Sequence, residues 1–291
     1  MRQILLGLAG LLVVICAVGF AVYKNDVWLL DTVAAATPDT SLAEHKAFIA
    51  PHVVLRGSPA TVSDDQPAPT VVMFHGCAGY RSAFMETWTA TFSEAGWRVF
   101  SVDSHTPRDI SRDVALETVC TGRKLLGQER TGDIVASLQI IAARPDVDPT
   151  RLVVAGWSHG AWTIMDTLAM DYTKRTPAAI SDKNVSVPAL AGAILFYPYC
   201  GKGSWAGVND WTISPPTAAF IGGSDTVVDG PLCKEVLEDL ATKGNDISIS
   251  YYPDAEHIFD DVGSPDYYSA EANADARQGV RDFLSALLKG A

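Results

Sequence analysis

The chain has 291 residues, 48% of them hydrophobic and 19% charged, with a formal net charge of −12. That composition supplies a sizeable core in one larger domain and excludes a disordered protein. The acidic surplus argues against nucleic acid as a partner, and there is no P-loop, no G-x-G-x-x-G, no H-E-x-x-H and no internal repeat.

In chain order, Ile4 to Val22 is an uncharged apolar run between Arg2 and Lys24. Its length is at the threshold for spanning a bilayer. It reads as an N-terminal membrane anchor or as a signal peptide cut near Gly19-Phe20-Ala21, with the length favouring the anchor. Cys16 does not sit in a good lipobox, because Ile15 is too bulky for the position before it. Either reading exports residues 24–291 to the periplasm or another extracytoplasmic space. The predicted domains are residues 1–23 as signal or anchor, 24–50 as a linker or short helix, and 51–291 as the folded domain. His45 and His52 read as ordinary surface or strand residues.

His52 to Arg56 suggests an early strand, and Gly57 to Pro69 a Pro/Asp-rich turn region. From Thr70 onward strands and helices alternate. Thr70 to Phe74 is apolar and runs into His75-Gly-Cys-Ala-Gly79. Ser82 to Ala95 reads as a helix stopped by Gly96. Trp97 to Val102 is a strand ending at Asp103, and a long polar loop follows. Arg130 to Ala143 is a helix stopped by Pro145. Leu152 to Ala155 is a buried strand and Ala161 to Tyr172 a helix. Ala191 to Phe196, Thr217 to Ile221 and Ile247 to Tyr251 are strands. Pro231 to Lys243 and Glu271 to Lys289 are helices. Such alternation predicts an α/β fold, a mostly parallel sheet covered on both faces. Ligands in such sheets bind at the carboxyl ends of the strands.

Between the Leu152 strand and the Ala161 helix lies Gly156-Trp-Ser-His-Gly160, which matches G-x-S-x-G. The strand–turn–helix context is the one a nucleophile elbow needs. The sharp turn tolerates no bulk two residues before and two after the serine. It lifts Ser158 above the sheet edge at a helix N-terminus, where the His159 N–H can face an oxyanion. A serine hydroxyl needs a base beside it. Beyond the elbow itself there is one histidine, His257, after the last strand. The acid is expected to be Asp225, nearest a strand end in a turn of small residues. Asp229, Asp254 and Glu256 are its rivals. The second oxyanion donor is expected from the loop after the Thr70 strand, as the N–H of Cys77. His75 would be structural. Trp157, Tyr80, Tyr197 and Trp205 are candidate pocket walls, and residues 171–188 and 198–216 candidate lids or rims. Arg108 reads as a substrate-carboxylate ligand or, more simply, a structural arginine.

Phe74-His-Gly-Cys-Ala-Gly79, Asp103-Ser-His-Thr-Pro-Arg108, Gly156-Trp-Ser-His-Gly160, Gly222-Gly-Ser-Asp225 and Glu256-His257 resemble the dienelactone hydrolase-like branch of the α/β-hydrolases. The resemblance runs from about Pro51 to the C-terminus. It implies an α/β-hydrolase fold with an eight-stranded sheet, carboxylic-ester or lactone chemistry and small-molecule ester substrates. It departs from dienelactone hydrolase proper in holding a serine, not a cysteine, at the elbow. No metal or organic cofactor is implied. A peptidase of the same fold and a non-catalytic binding protein are the alternative readings. In the strand order that the resemblance implies, the loops bearing Cys77 and Cys120 are neighbours, as are those bearing Cys200 and Cys233. The expected disulfides are therefore Cys77–Cys120 and Cys200–Cys233.

Overall fold

The computed structural model describes residues 40–290, apart from 64 and 184. The apolar run Ile4 to Val22 and most of the expected linker lie outside the described residues. No helix among the described residues is long and apolar enough to cross a membrane.

Seven strands form one sheet in the order β1-β3-β2-β4-β5-β6-β7. They are β1 (Val53–Gly57), β2 (Ala68–Phe74), β3 (Arg98–Val102), β4 (Val147–Trp157), β5 (Gly192–Phe196), β6 (Thr217–Gly222) and β7 (Ile247–Tyr252). All neighbours are parallel except β1, which runs antiparallel to β3. The expectation of eight strands is corrected among the described residues. Immediately ahead of β1 the chain winds into helix α1 (Leu42–Ile49) and a 3₁₀ turn at Ala50–His52, and among the described residues β1 is an edge strand paired only with β3.

Parallel strands buried on both faces favour near-continuous apolar runs; β2, β5 and β6 supply them with few interruptions, while β3 also buries Arg98 and Ser101. Alternate residues serve opposite cores. Val72, Phe74 and Val154 pack with the helices α4 (Gly127–Ala142), α5 (His159–Ala169) and α6 (Gly230–Thr242). Val71, Met73, Val153 and Ala155 pack with α2 (Ser82–Glu94) and α7 (Ala270–Lys289). The period of 2 in each strand thus sorts side chains into two layers.

Two local expectations change. The polar stretch after β3 contains a short helix, α3 (Arg112–Thr118), capped by Ser111 and carrying a small apolar cluster of Ala115, Val119 and Leu125 against Cys77. Of the stretch expected as a linker or short helix, residues 42–49 take the helical form and are docked. Ser41 and Glu44 form a capping box at the start of α1, and His45, expected as a surface or strand residue, is instead buried on this helix with Nε2 2.8 Å from Asp133 Oδ1. Asp133 also takes a bidentate pair from Arg108 at 2.9 Å and 2.9 Å, which makes Arg108 structural. Burial pushes the Asp133 carboxyl up, but the Arg108 guanidinium and His45 outweigh it and hold it below the usual carboxylate range.

Candidate active site

The chain leaves β2 in one direction to β3 and returns on the other side to β4, so β2 and β4 flank the switch point of the sheet. A crevice opens there at the carboxyl ends of the strands. Ser158 follows β4 directly. Its backbone sits at φ 52°, ψ −114°, a strained conformation costing on the order of 1–3 kcal/mol that the surrounding packing must hold. The flanking glycines are required by close approach. A Cβ on Gly156 would come within 2.6 Å of the Ala161 nitrogen, and one on Gly160 would collide with the Phe74 carbonyl. The nitrogen of Ser158 donates to the Phe196 carbonyl at 2.9 Å, which pins the turn to β5.

Three side chains line up across this crevice. Ser158 Oγ lies 3.0 Å from His257 Nε2, and His257 Nδ1 lies 2.6 Å from Asp225 Oδ2. The Asp225 side chain is fully buried, and its Oδ1 accepts from the nitrogens of Val227 and Val228 at 2.9 and 2.8 Å. With Asp225 accepting, Nδ1 carries the proton and Nε2 is left to accept from the serine hydroxyl. The rival acids have other partners. Glu256 Oε2 takes the nitrogen and hydroxyl of Thr226 at 2.9 and 3.0 Å, tying the loop of Asp225 to the loop of His257. Asp229 caps α6 through the Leu232 nitrogen, and Asp254 is exposed.

Cys77 and His159, the two residues expected to supply oxyanion N–H groups, both line a cleft that opens on Ser158. Each is held from behind. Cys77 is bonded to Cys120 and so to the end of α3; Cys200 is bonded to Cys233. Arg130, wholly buried on α4, donates to the His75 carbonyl at 2.7 Å, to Ser104 Oγ at 2.9 Å and to His159 Nδ1 at 2.9 Å. His159 Nε2 faces the Leu125 carbonyl at 2.8 Å. An arginine can only donate and a carbonyl can only accept, so His159 is neutral with its proton on Nε2. Burial, and after it the Arg130 charge, hold its pKa well below the usual imidazole value. His75 is fixed the same way, Nε2 accepting from the Ser104 nitrogen at 3.1 Å and Nδ1 donating to the Gly76 carbonyl at 2.7 Å. Burial and Arg130 lower its pKa as well. Burial also lowers Arg130, to about 10, which leaves it charged at neutral pH.

Two further acids went unforeseen. Asp260 accepts from the indoles of Trp88 and Trp157 at 2.9 and 3.0 Å and from the Tyr197 hydroxyl at 2.7 Å. The Tyr197 ring packs 4.6 Å from that of His257. Burial pushes Asp260 up to about 6. Asp166 on α5 accepts from the Ala206 nitrogen at 2.9 Å, and burial pushes it up to about 8. Neither follows a strand end in a recognisable motif, and so neither left a signal in the sequence. Of the expected pocket walls, Trp157 and Tyr197 line the crevice, and Tyr199, Lys202 and Gly203 form one rim. Tyr80 instead stacks under Arg56, and Trp205 under Arg175. Among the described residues no group of histidine, cysteine and carboxylate side chains is placed to hold a metal ion.

Solved structures share this architecture. A propionate-bound esterase from Thermogutta terrifontis superposes with a TM-score of 0.59 at 18% identity, covering 79% of this chain and 87% of its own. The same esterase phosphonylated by cyclosarin gives 0.60 at 18% identity, with 79% and 87% covered. A Klebsiella pneumoniae protein provisionally named a dienelactone hydrolase gives 0.56 at 15% identity, with 77% and 89% covered. At these identities the likeness is one of fold. No curated protein matches the chain in sequence. Residues 57–288, most of the chain and all of the sheet beyond β1, match the dienelactone hydrolase family. The chain belongs to the dienelactone hydrolase family and is a carboxylic-ester hydrolase with the α/β-hydrolase fold.

Proposed function

We propose that the protein hydrolyses small carboxylic esters or lactones through an acyl-enzyme on Ser158, with His257 as base and Asp225 as its orienting acid. The observation that carries this reading is the continuous chain Ser158 Oγ–His257 Nε2 at 3.0 Å and His257 Nδ1–Asp225 Oδ2 at 2.6 Å, at the top of a strained elbow. In the attack, the serine hydroxyl proton passes to Nε2 as the Oγ–carbon bond forms, and the carbonyl oxygen becomes an oxyanion facing the N–H groups of Cys77 and His159. Collapse breaks the bond to the alcohol oxygen, which takes the proton from Nε2. Water then repeats the sequence and releases the acid. Asp225 keeps the proton on Nδ1 and stabilises the imidazolium without itself being protonated. The organophosphate adduct of the Thermogutta esterase is in keeping with a nucleophile of this type on this fold.

Ser158→Ala tests the reading. Fluorophosphonate labelling and ester turnover should both vanish while the circular dichroism spectrum and Tm stay close to those of the parent. Labelling at another residue would overturn it. Two disulfides suit an oxidising compartment outside the cytoplasm, and export by residues 4–22 is the route proposed for reaching it. Fractionation of the intact chain and the mass of its mature N-terminus decide between anchor and cleaved signal. A cytosolic intact chain would refute both.

A further inference from the structure

The peptide between Gly76 and Cys77 lies against the nucleophile. A Cβ placed on Gly76 would stand 3.6 Å from that of Ser158. The two polar ends of this peptide are treated unequally. The Gly76 carbonyl accepts from His75 Nδ1 at 2.7 Å and from the Gly79 nitrogen at 3.2 Å. Among the described residues the Cys77 N–H donates to no backbone carbonyl. In a trans peptide the C=O and the N–H point in opposite directions, and no cis bond occurs among the described residues. Whatever grips the Gly76 oxygen therefore aims the Cys77 N–H. The Gly79 bond closes a turn of the loop upon itself, so the His75 bond is the one that ties this peptide to the core.

His75 can make that bond in one tautomer. Its Nε2 faces the Ser104 nitrogen at 3.1 Å. A backbone N–H only donates, so Nε2 accepts and the ring proton sits on Nδ1. Ser104 is wholly buried, and its other two polar atoms are also fixed. The Ser104 carbonyl accepts from Arg108 Nη1 at 2.7 Å and its hydroxyl from Arg130 Nε at 2.9 Å. Arg108 in turn is held by Asp133, which His45 of α1 meets from the other side. The His75 ring has no room to turn over, being 1% exposed and packed edge-on to His105 at 4.7 Å. Burial and the Arg130 charge also disfavour the imidazolium, whose Nε2–H would point at the Ser104 N–H.

We propose, resting on the acyl-enzyme reading above, that His75 is a positioning residue for the oxyanion. Its Nδ1–H holds the Gly76 carbonyl and so keeps the Cys77 N–H turned toward the substrate oxygen, and the Ser104 N–H selects the tautomer that allows this. With the Nδ1–H gone, the peptide is free to flip and present a carbonyl oxygen to the developing negative charge. The loss then falls on the transition state and not on substrate binding.

Three substitutions in the full chain separate the two ring nitrogens. The Asn amide reaches the place of Nδ1 and can donate to Gly76. The Gln amide reaches the place of Nε2 and can accept from Ser104, but it leaves Gly76 without its donor. Phe does neither. Fluorophosphonate titration run to completion counts competent Ser158, so that kcat is compared per active site. His75→Gln and His75→Phe should lower kcat by on the order of 10²–10³ with little change in KM, the loss that follows removal of one oxyanion donor. His75→Asn should recover most of it. The Ki of phenylboronic acid, whose tetrahedral adduct on Ser158 places an oxygen at the oxyanion position, should weaken in the same order. His75→Gln as active as His75→Asn, or kcat tracking Tm across the three, overturns the proposal. Nitrogen-15 NMR of the histidine-labelled parent tests it without any variant: His75 should be neutral with its proton on Nδ1 at neutral pH, and an Nε2–H tautomer or an imidazolium overturns it. Labelling of Ser158 in the parent stands in each of those cases, and the hydrolase reading with it. Absence of that labelling overturns both.

Discussion

Arg130 Nη1 lies 2.9 Å from His159 Nδ1, and both side chains are buried. The same nitrogen reaches the His75 carbonyl at 2.7 Å. One guanidinium therefore braces two backbone segments that meet beside Ser158, one after β2 and one after β4, from which the proposed oxyanion N–H groups come.

Arg130→Met should leave the His75 carbonyl, Ser104 Oγ and His159 Nδ1 without their donor. Each buried acceptor left without its donor costs about 1–3 kcal/mol, so the unfolding free energy should fall by several of these units together. Urea denaturation measures it. Arg130→Lys should recover part of the stability, but not the three-way geometry, so kcat should stay low while KM changes little. Parent-like kcat in Arg130→Lys would show that the fork is not needed to hold the loops.

Asp225→Asn should lower kcat by on the order of 10⁴, because the amide offers the wrong partner to His257 Nδ1 and permits the wrong tautomer. Asp229→Asn and Glu256→Gln should cost far less activity, since these residues cap α6 and tie two loops. Steady-state kinetics of the three variants ranks them, and a larger loss in Asp229→Asn would reassign the acid.

Asp166 makes stability depend on pH in a defined direction. Its pKa in the folded protein is pushed up to about 8 by burial, above the roughly 3.9 of an unfolded aspartate. Between those values the folded state holds a proton that the unfolded state has lost, so this group's contribution to stability falls as pH rises from about 4 to about 8 and is flat beyond. An asparagine side chain at this position would resemble the protonated acid and never ionise. The Tm of Asp166→Asn relative to the parent should therefore climb across that window. A pH-independent difference would mean that Asp166 is ionised in the fold.

The disulfides enclose sequence separations of 43 and 33 residues. Loops of that size give at most roughly 4 kcal/mol each in the chain-entropy model. Reduction should lower Tm, and it should lower kcat/KM as well, because Cys77–Cys120 joins the loop of Cys77 to the end of α3. A Cys200→Ser, Cys233→Ser double variant separates the effects, losing stability while keeping most activity. Non-reducing peptide mapping that found Cys77 linked to Cys200 or Cys233 would contradict the pairing.

The sequence alone determined what rests on neighbours along the chain. Gly156, Ser158 and Gly160 lie within one turn, and the turn's sterics dictate their identities. The alternation of apolar strands with helices follows from local periodicity and required a parallel sheet. His257 stood out because no other histidine follows the elbow Gly156 to Gly160. Given the strand order of the fold, even the cysteine pairs could be read, since parallel neighbours bring their following loops to one end. Only the tertiary structure decided which carboxylate faces His257, for Asp225, Asp229 and Glu256 lie within reach of the same loops and differ in direction, not in type. It also decided that residues 42–49 dock as a helix, through a His45–Asp133 contact spanning 88 positions, and that Arg130 serves residues 26, 55 and 29 positions away. Buried polar partners of this kind have no period and no spacing rule. Each is chosen because a donor removed from water must find an acceptor wherever the packed chain happens to present one.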